Sequence, residues 1–284
     1  MTTYEYPSGP GRSTSTFPIP QRAGIIVFRQ VTRTVIGFFA DVGARTYFLR
    51  ETFRAFSQPR TYMPLIVKQM RNIGVDSVPL AGIVAAFIGA VTAYQTRFQL
   101  FPGVDLSTVG WIVRQSIVLE LAPLITALVL TGRVGARMTA EIGTMRVTEQ
   151  IDALETLAYD PVAYLIVPRV IAGTLMLPLL TTLAIAIGIV AGMVMAVAAT
   201  DVTVSAFTSG LRLTFAEFQV IYALIKATLF GFAISLICSY EGFVTGAGAE
   251  GVGASTARAV VVTSVVILFL DALTALYLAP YLQA

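Results

Sequence analysis

Hydrophobic positions run along this chain in five long blocks, at 75–97, 111–132, 170–199, 218–241 and 258–280, separated by shorter polar intervals. Each block is long enough to cross a bilayer core of about 30 Å, which takes roughly 20 helical residues. The third runs uncharged from 170 to 199, longer than a straight crossing needs, so it tilts or continues beyond the bilayer. Its Gly188 and Gly192 form a GxxxG pair, compatible with close helix packing.

The polar intervals are unequal. Between the second and third blocks, the segment from Arg133 to Arg169 carries Arg133, Arg137, Glu141, Arg146, Glu149, Asp152, Glu155, Asp160 and Arg169, and it must sit in water. Ile142, Met145, Ile151, Leu154 and Leu157 recur there mostly at three- and four-residue intervals, the stripe of an amphipathic helix, until Asp160-Pro161 ends the pattern. The spacing predicts a short polar helical hairpin between two spans, offering one apolar edge.

Ahead of the first block, residues 22–56 alternate apolar clusters with Arg22, Arg29, Arg33, Arg45, Arg50 and Arg54. So many arginines rule out a span, whereas a helix in the headgroup plane keeps them wet and buries the aromatics. Residues 1–20 are rich in Ser, Thr, Pro and Gly and read as a disordered tail without a cleaved signal peptide. The expected organisation is a tail over 1–20, an interfacial helical region over 21–72, and a five-span domain over 73–284 that includes the polar segment 133–169.

Composition agrees with an all-α integral membrane protein: 56% of residues are hydrophobic, 12% are charged, and the mean hydropathy is +0.79. Ten lysines and arginines precede residue 72, and Arg133, Arg137, Arg146, Arg169 and Arg258 flank later loops on the same side. Only Arg97, Arg114 and Arg212 mark the other side, so the N-terminus and the 133–169 segment are expected in the cytoplasm and the C-terminus outside. No nucleic-acid partner is expected.

Several chemistries drop out. With no histidine, Ser-His-Asp arrangements and HExxH zinc sites are excluded, and the lone Cys238 supports no disulfide framework. The stretch GAGAEGVGAST at 246–256 resembles a phosphate loop only in its glycines. A Walker A motif needs GK[ST], and neither Lys68 nor Lys226 follows a glycine, so this stretch is expected to be a tight turn. If ATP drives the protein, another subunit binds it.

Three charges remain inside the spans. Glu120 is nine residues beyond Trp111, Lys226 eight beyond Phe218, and Asp271 nine before Pro280. At 1.5 Å per residue all three lie about 12–14 Å below the outer surface. Two acids and one lysine in a single layer neutralise each other in part and face the bundle interior or a cavity. Such a layer is either a packing device or a functional site, and an ion relay in a self-sufficient secondary transporter or channel is one functional form of it.

The words AEIGTMRVTEQIDALETLAYDPVAYLIVPRVIAG (140–173), LIKATLF (224–230) and GAEGVGASTARAVVVTSVVILFLD (248–271) closely resemble the signature of the MlaE/YrbE family, permease subunits of ABC transporters that work with MCE proteins in bacterial lipid traffic. The resemblance covers roughly residues 60–280. It implies a homodimer in the bacterial inner membrane, with the C-terminus periplasmic, moving phospholipid or a related lipid between that membrane and a periplasmic MCE protein. A cytoplasmic ABC ATPase would supply ATP, and no cofactor would bind directly. It further implies an ATPase-coupling role for Glu141, Gly143, Met145, Arg146, Glu149, Gln150, Ile151, Asp152 and Leu154, with Ile151 and Leu154 seating the helix in the ATPase groove. The family often has an Arg-Glu pair before Leu-Gly-Pro where this chain reads Leu119-Glu120-Leu121-Ala122-Pro123, so Lys226 stands as the available cation for a lipid phosphate. Glu120, Lys226 and Asp271 are the expected substrate residues, and Tyr94 and Phe98 would line the apolar part of the path.

Overall fold

The computed structural model describes residues 32, 36, 43–56 and 59–282. The chain divides into two units, 1–47 and 48–284. The expected tail and most of the expected interfacial region before residue 43 lie outside the described residues. Residues 43–55 are helical (α1), and within the second unit this helix buries Phe48, Thr52 and Ala55 along one face. Phe48 meets the rings of Tyr240 and Phe243 at 5.2 and 5.8 Å.

The five expected spans are present as helices long and apolar enough to cross a membrane. Helix α2 (Pro59–Ile73) runs through a 3-10 turn, Val75–Ser77, into α3 (Val78–Gln99). Helix α4 (Ser107–Val147) is followed by the short α5 (Gln150–Thr156) and the long α6 (Val162–Ala199). Then come α7 (Val204–Arg212), α8 (Glu217–Phe243) and α9 (Gly248–Leu278). Among the described residues there is no strand.

Two boundaries differ from the hydropathy reading, for a packing reason. The polar segment 133–169 is not a free-standing hairpin. Helix α4 continues through it to Val147 and α6 begins already at Val162, leaving 148–161 with only α5 between the long helices. Most of the charges there stay wet on one side while Met138, Thr139 and Ile142 bury the other, packed on α8 and α9. Arg169, expected in water, is instead buried, its guanidinium held by the Leu165 carbonyl and Glu141. Thr139 Oγ1 donates to the Cys238 carbonyl of α8 at 2.8 Å. Likewise the glycine-rich 246–256 stretch is a turn only over 244–247. From Gly248 onward it is the first turns of α9, so its backbone N–H groups are largely taken up in the helix.

Lipid is as apolar as leucine, so burial of apolar surface drives helix association weakly in a membrane, and close approach of small residues takes over. The GxxxG pair of α6 does this against α3. A Cβ on Gly89 would fall on the Gly188 carbonyl, and one on Gly192 would come within 3.0 Å of the Gly89 carbonyl. Ala85, Ala93, Ala184 and Ala196 fill the same seam. Gly173 of α6 and Gly231 of α8 make a second close crossing.

At the end of the bundle away from α5, polar clasps tie the loops. Arg97 Nε and Nη2 bind Asp201 at 2.5 and 2.6 Å. Buried Arg114 donates to the carbonyls of Leu211 and Thr214 at 2.8 and 3.4 Å, placing a cation at the C-terminal end of α7. The hydrogen bond from Arg97 holds the Asp201 carboxyl below its usual range. A lowered pKa stabilises the fold above the unfolded value, and that contribution is lost as pH falls through the folded value. Because Asp201 is exposed and screened by salt, Asp201→Asn should barely change the unfolding temperature in detergent at pH 7. The wild type and the variant should then converge as pH falls below the carboxylate range. A large loss at neutral pH would contradict this weighting.

Candidate functional site

The intramembrane site begins with a proline. Pro123 has no N–H to give the carbonyl four residues back, and α4 widens into a π turn over Ile117–Leu121 just before it. The carbonyl of Leu119 is thereby left for another donor, and Lys226 Nζ of α8 takes it at 3.3 Å. The same ammonium donates to Glu120 Oε2 at 2.7 Å and stands 2.6 Å from Asp271 Oδ1 of α9, the latter an ion pair without hydrogen-bond alignment. The Tyr222 ring, one helical turn before Lys226, lies 5.1 Å from Nζ.

The predicted layer of Glu120, Lys226 and Asp271 is thus a contact cluster joining three spans. Its burial is graded: the Lys226 side chain is 0% exposed, Asp271 18% and Glu120 44%. An ammonium has three donors, and three oxygens surround this one. A phosphate reaches Lys226 only by displacing one of them, and Glu120 is the partner open to the outside. Leu119 and Tyr222 escaped the sequence reading. Pro123 inside a span was the available signal for the first, and the four-residue spacing from Lys226 for the second.

Tyr94 and Phe98 are elsewhere. Their rings pair at 4.7 Å on an open face of α3, whose main partner is α6, and the structure does not bring them into the Lys226 cluster.

At the opposite end, Glu141 receives Arg137 at 2.8 Å and Arg169 at 3.4 Å. Gly143 packs beneath Thr245, where a Cβ would come within 2.8 Å of its hydroxyl, and Met145 is half-buried. Arg146 and Asp152 pair with each other at 2.6 Å, and Gln150 donates to Thr148 Oγ1 at 3.0 Å. Glu149 turns the chain into α5 with φ +59°, a left-handed conformation. Ile151 is fully buried among Ile142, Val162 and Ile166, and Leu154 packs on the same cluster. The expected apolar edge therefore faces inward. Ile151 holds α5 to its own protein, and the exposed apolar side chains at this tip are Leu157 and Tyr159.

The sequence profile of the family described as Permease MlaE matches residues 66–277, a range that contains the cluster and the α5 end together. The chain belongs to the MlaE permease family. A probable ABC transporter permease protein of Rickettsia prowazekii (strain Madrid E) is 39% identical over 240 residues, covering 84% of this chain and 92% of that one. The intermembrane phospholipid transport system permease protein MlaE of Haemophilus influenzae is 36% identical over 240 residues, again 84% and 92% of the two chains. A chloroplastic protein of Arabidopsis thaliana, TRIGALACTOSYLDIACYLGLYCEROL 1, is 34% identical over 206 residues, 72% of this chain and 59% of that one. As an MlaE permease with five membrane-length helices, the protein is a multi-pass membrane protein, located in the inner membrane in bacteria.

Proposed function

We propose that this permease is the transmembrane subunit of an MCE-type ABC transporter that moves phospholipid or a related lipid between the inner membrane and a periplasmic MCE protein. The observation that carries the reading is the Lys226 ammonium held between Glu120 and Asp271 inside an apolar bundle. Charge at that depth is expensive, and this cluster keeps one arm, Glu120, open. A lipid phosphate displacing Glu120 from Lys226 exchanges one anion for another, so the buried cation is never left unpaired.

A half-exposed carboxylate facing acyl chains is unfavourable, which supports a second copy of the chain covering it and a homodimer with the lipid path between protomers. The arginine distribution supports an orientation with α5 in the cytoplasm and the C-terminal end of α9 in the periplasm. The chain has no Walker A motif, so a separate cytoplasmic ATPase supplies ATP hydrolysis. Exposed Glu149, Gln150 and Asp152, with Leu157 and Tyr159 as apolar anchors, form the surface for that ATPase.

The test is reconstitution of the complex in liposomes with ATP-dependent lipid transfer to the soluble MCE domain as readout. Glu149→Lys should weaken ATPase binding about tenfold by turning a rim attraction into repulsion. Its fold should be unchanged, since Glu149 is exposed. Transfer at the wild-type rate in that variant, or transport by the chain alone without an ATPase, would overturn the reading.

A further inference from the structure

A second polar cleft lies at the α5 end, away from the Lys226 cluster. It is a shallow cleft lined by Gln69 and Asn72 of α2 and by Arg133, Arg137 and Glu141 of α4 over a floor of Ile73, Val134 and Met138. The local sequence explains its shape. Helix α4 widens into a second π turn over Thr131–Gly135, centred on Arg133, and such turns re-aim side chains that a regular helix would place elsewhere.

Its depth is set by counting along α4. Arg133 is thirteen residues beyond Glu120. At 1.5 Å per residue that is about 20 Å further from the outer surface, or about 32–34 Å in all. A bilayer core is about 30 Å thick, so the cleft opens at the level of the lipid headgroups.

Its charge is unbalanced in one direction. Glu141 is neutralised by Arg137 through Nε at one oxygen and by the largely buried Arg169 at the other, so both of its carboxylate oxygens are already engaged. Arg133 is exposed and has no ion-pair partner among the described residues. Three guanidinium groups around one carboxylate leave an excess of positive charge, and the amides of Gln69 and Asn72 add neutral donors beside it.

We infer that this cleft binds a phosphate group at the membrane surface, held by Arg133 and Arg137 with Asn72 as a further donor. Guanidinium groups match phosphate oxygens in geometry, and the level of the cleft at the headgroups fits a phosphodiester whose acyl chains lie in the bilayer. The same chemistry would accept free phosphate, so the source is decided by experiment. The cleft works independently of whether the Lys226 cluster carries the transported lipid.

Native mass spectrometry of the purified full chain, titrated with short-chain phosphatidylglycerol in one arm and inorganic phosphate in the other, tests this. Arg133→Gln should weaken the tightest adduct about tenfold or more, the loss expected for one charge-assisted contact. Asn72→Leu, similar in size and uncharged, should weaken it less. Arg212→Gln removes an exposed charge at the opposite end and should leave it unchanged. Loss confined to the phosphatidylglycerol arm identifies a headgroup site, and Arg133-dependent binding of inorganic phosphate alone identifies a soluble phosphate site. Equal effects of Arg133→Gln and Arg212→Gln, or no effect of either in both arms, would overturn the inference by reducing the cleft to general surface charge.

Discussion

Lys226→Met should abolish lipid transfer and destabilise the bundle by about 3–5 kcal/mol, because it leaves Glu120 and Asp271 as two carboxylates without their shared cation. Stability and function are separable here. In a second protein, the combined variant Glu120→Gln, Lys226→Met, Asp271→Asn, no buried charge is left unpaired. Replacing a buried ion cluster by neutral groups of similar volume is often close to neutral in stability, so most of the loss should be recovered. Under the proposed function transfer should not recover, since the cation assigned there to the lipid phosphate is gone. Thermal unfolding in detergent and transfer to an MCE acceptor, measured on both proteins, give the two readouts. Wild-type transfer by the combined variant would make the cluster a scaffold and remove the substrate role from all three residues.

Gly89→Ala should lower stability by about 1–3 kcal/mol or more, because its methyl would occupy the position of the Gly188 carbonyl and the two backbones must separate. In a lipid environment that separation forfeits the contacts that hold α3 to α6, with no hydrophobic effect between the helices to offset the loss. Gly253→Ala is the matched control. Its Cβ meets open space on a helical position of α9, so alanine should stabilise by roughly 0.5–1 kcal/mol through lower chain entropy. Unfolding temperatures of the two variants should move in opposite directions. A neutral Gly89→Ala would mean that the α3–α6 seam is loose.

The Lys226 cluster shows how far counting residues reaches. Rise per residue puts Glu120, Lys226 and Asp271 at one depth, and depth alone limits their partners to one another, so their meeting is legible in the chain itself. Rotation about the helix axis is not. A span apolar on every side has little amphipathic signal to say which way a residue faces, so neither the graded exposure of the three groups nor the separate position of Tyr94 and Phe98 follows from the sequence.

The α5 end fails in the opposite way. Ile142, Met145, Ile151 and Leu154 form a correct apolar stripe, but a stripe states only that something covers it. The structure assigns the cover to this chain's own α6, α8 and α1, turning Ile151 inward and leaving Leu157 and Tyr159 outside.

The sequence by itself determined the five spans, the depth of the buried charges and the family, because hydropathy, helical rise and a long shared signature are properties of chain segments read one at a time. Tertiary structure alone decided where α4 and α6 end, which donor takes the carbonyl that Pro123 releases, and how Arg133 comes beside Asn72. Each of these depends on the rotation and crossing of two helices, which close contacts between glycines and π turns fix at distances along the chain that no local pattern encodes.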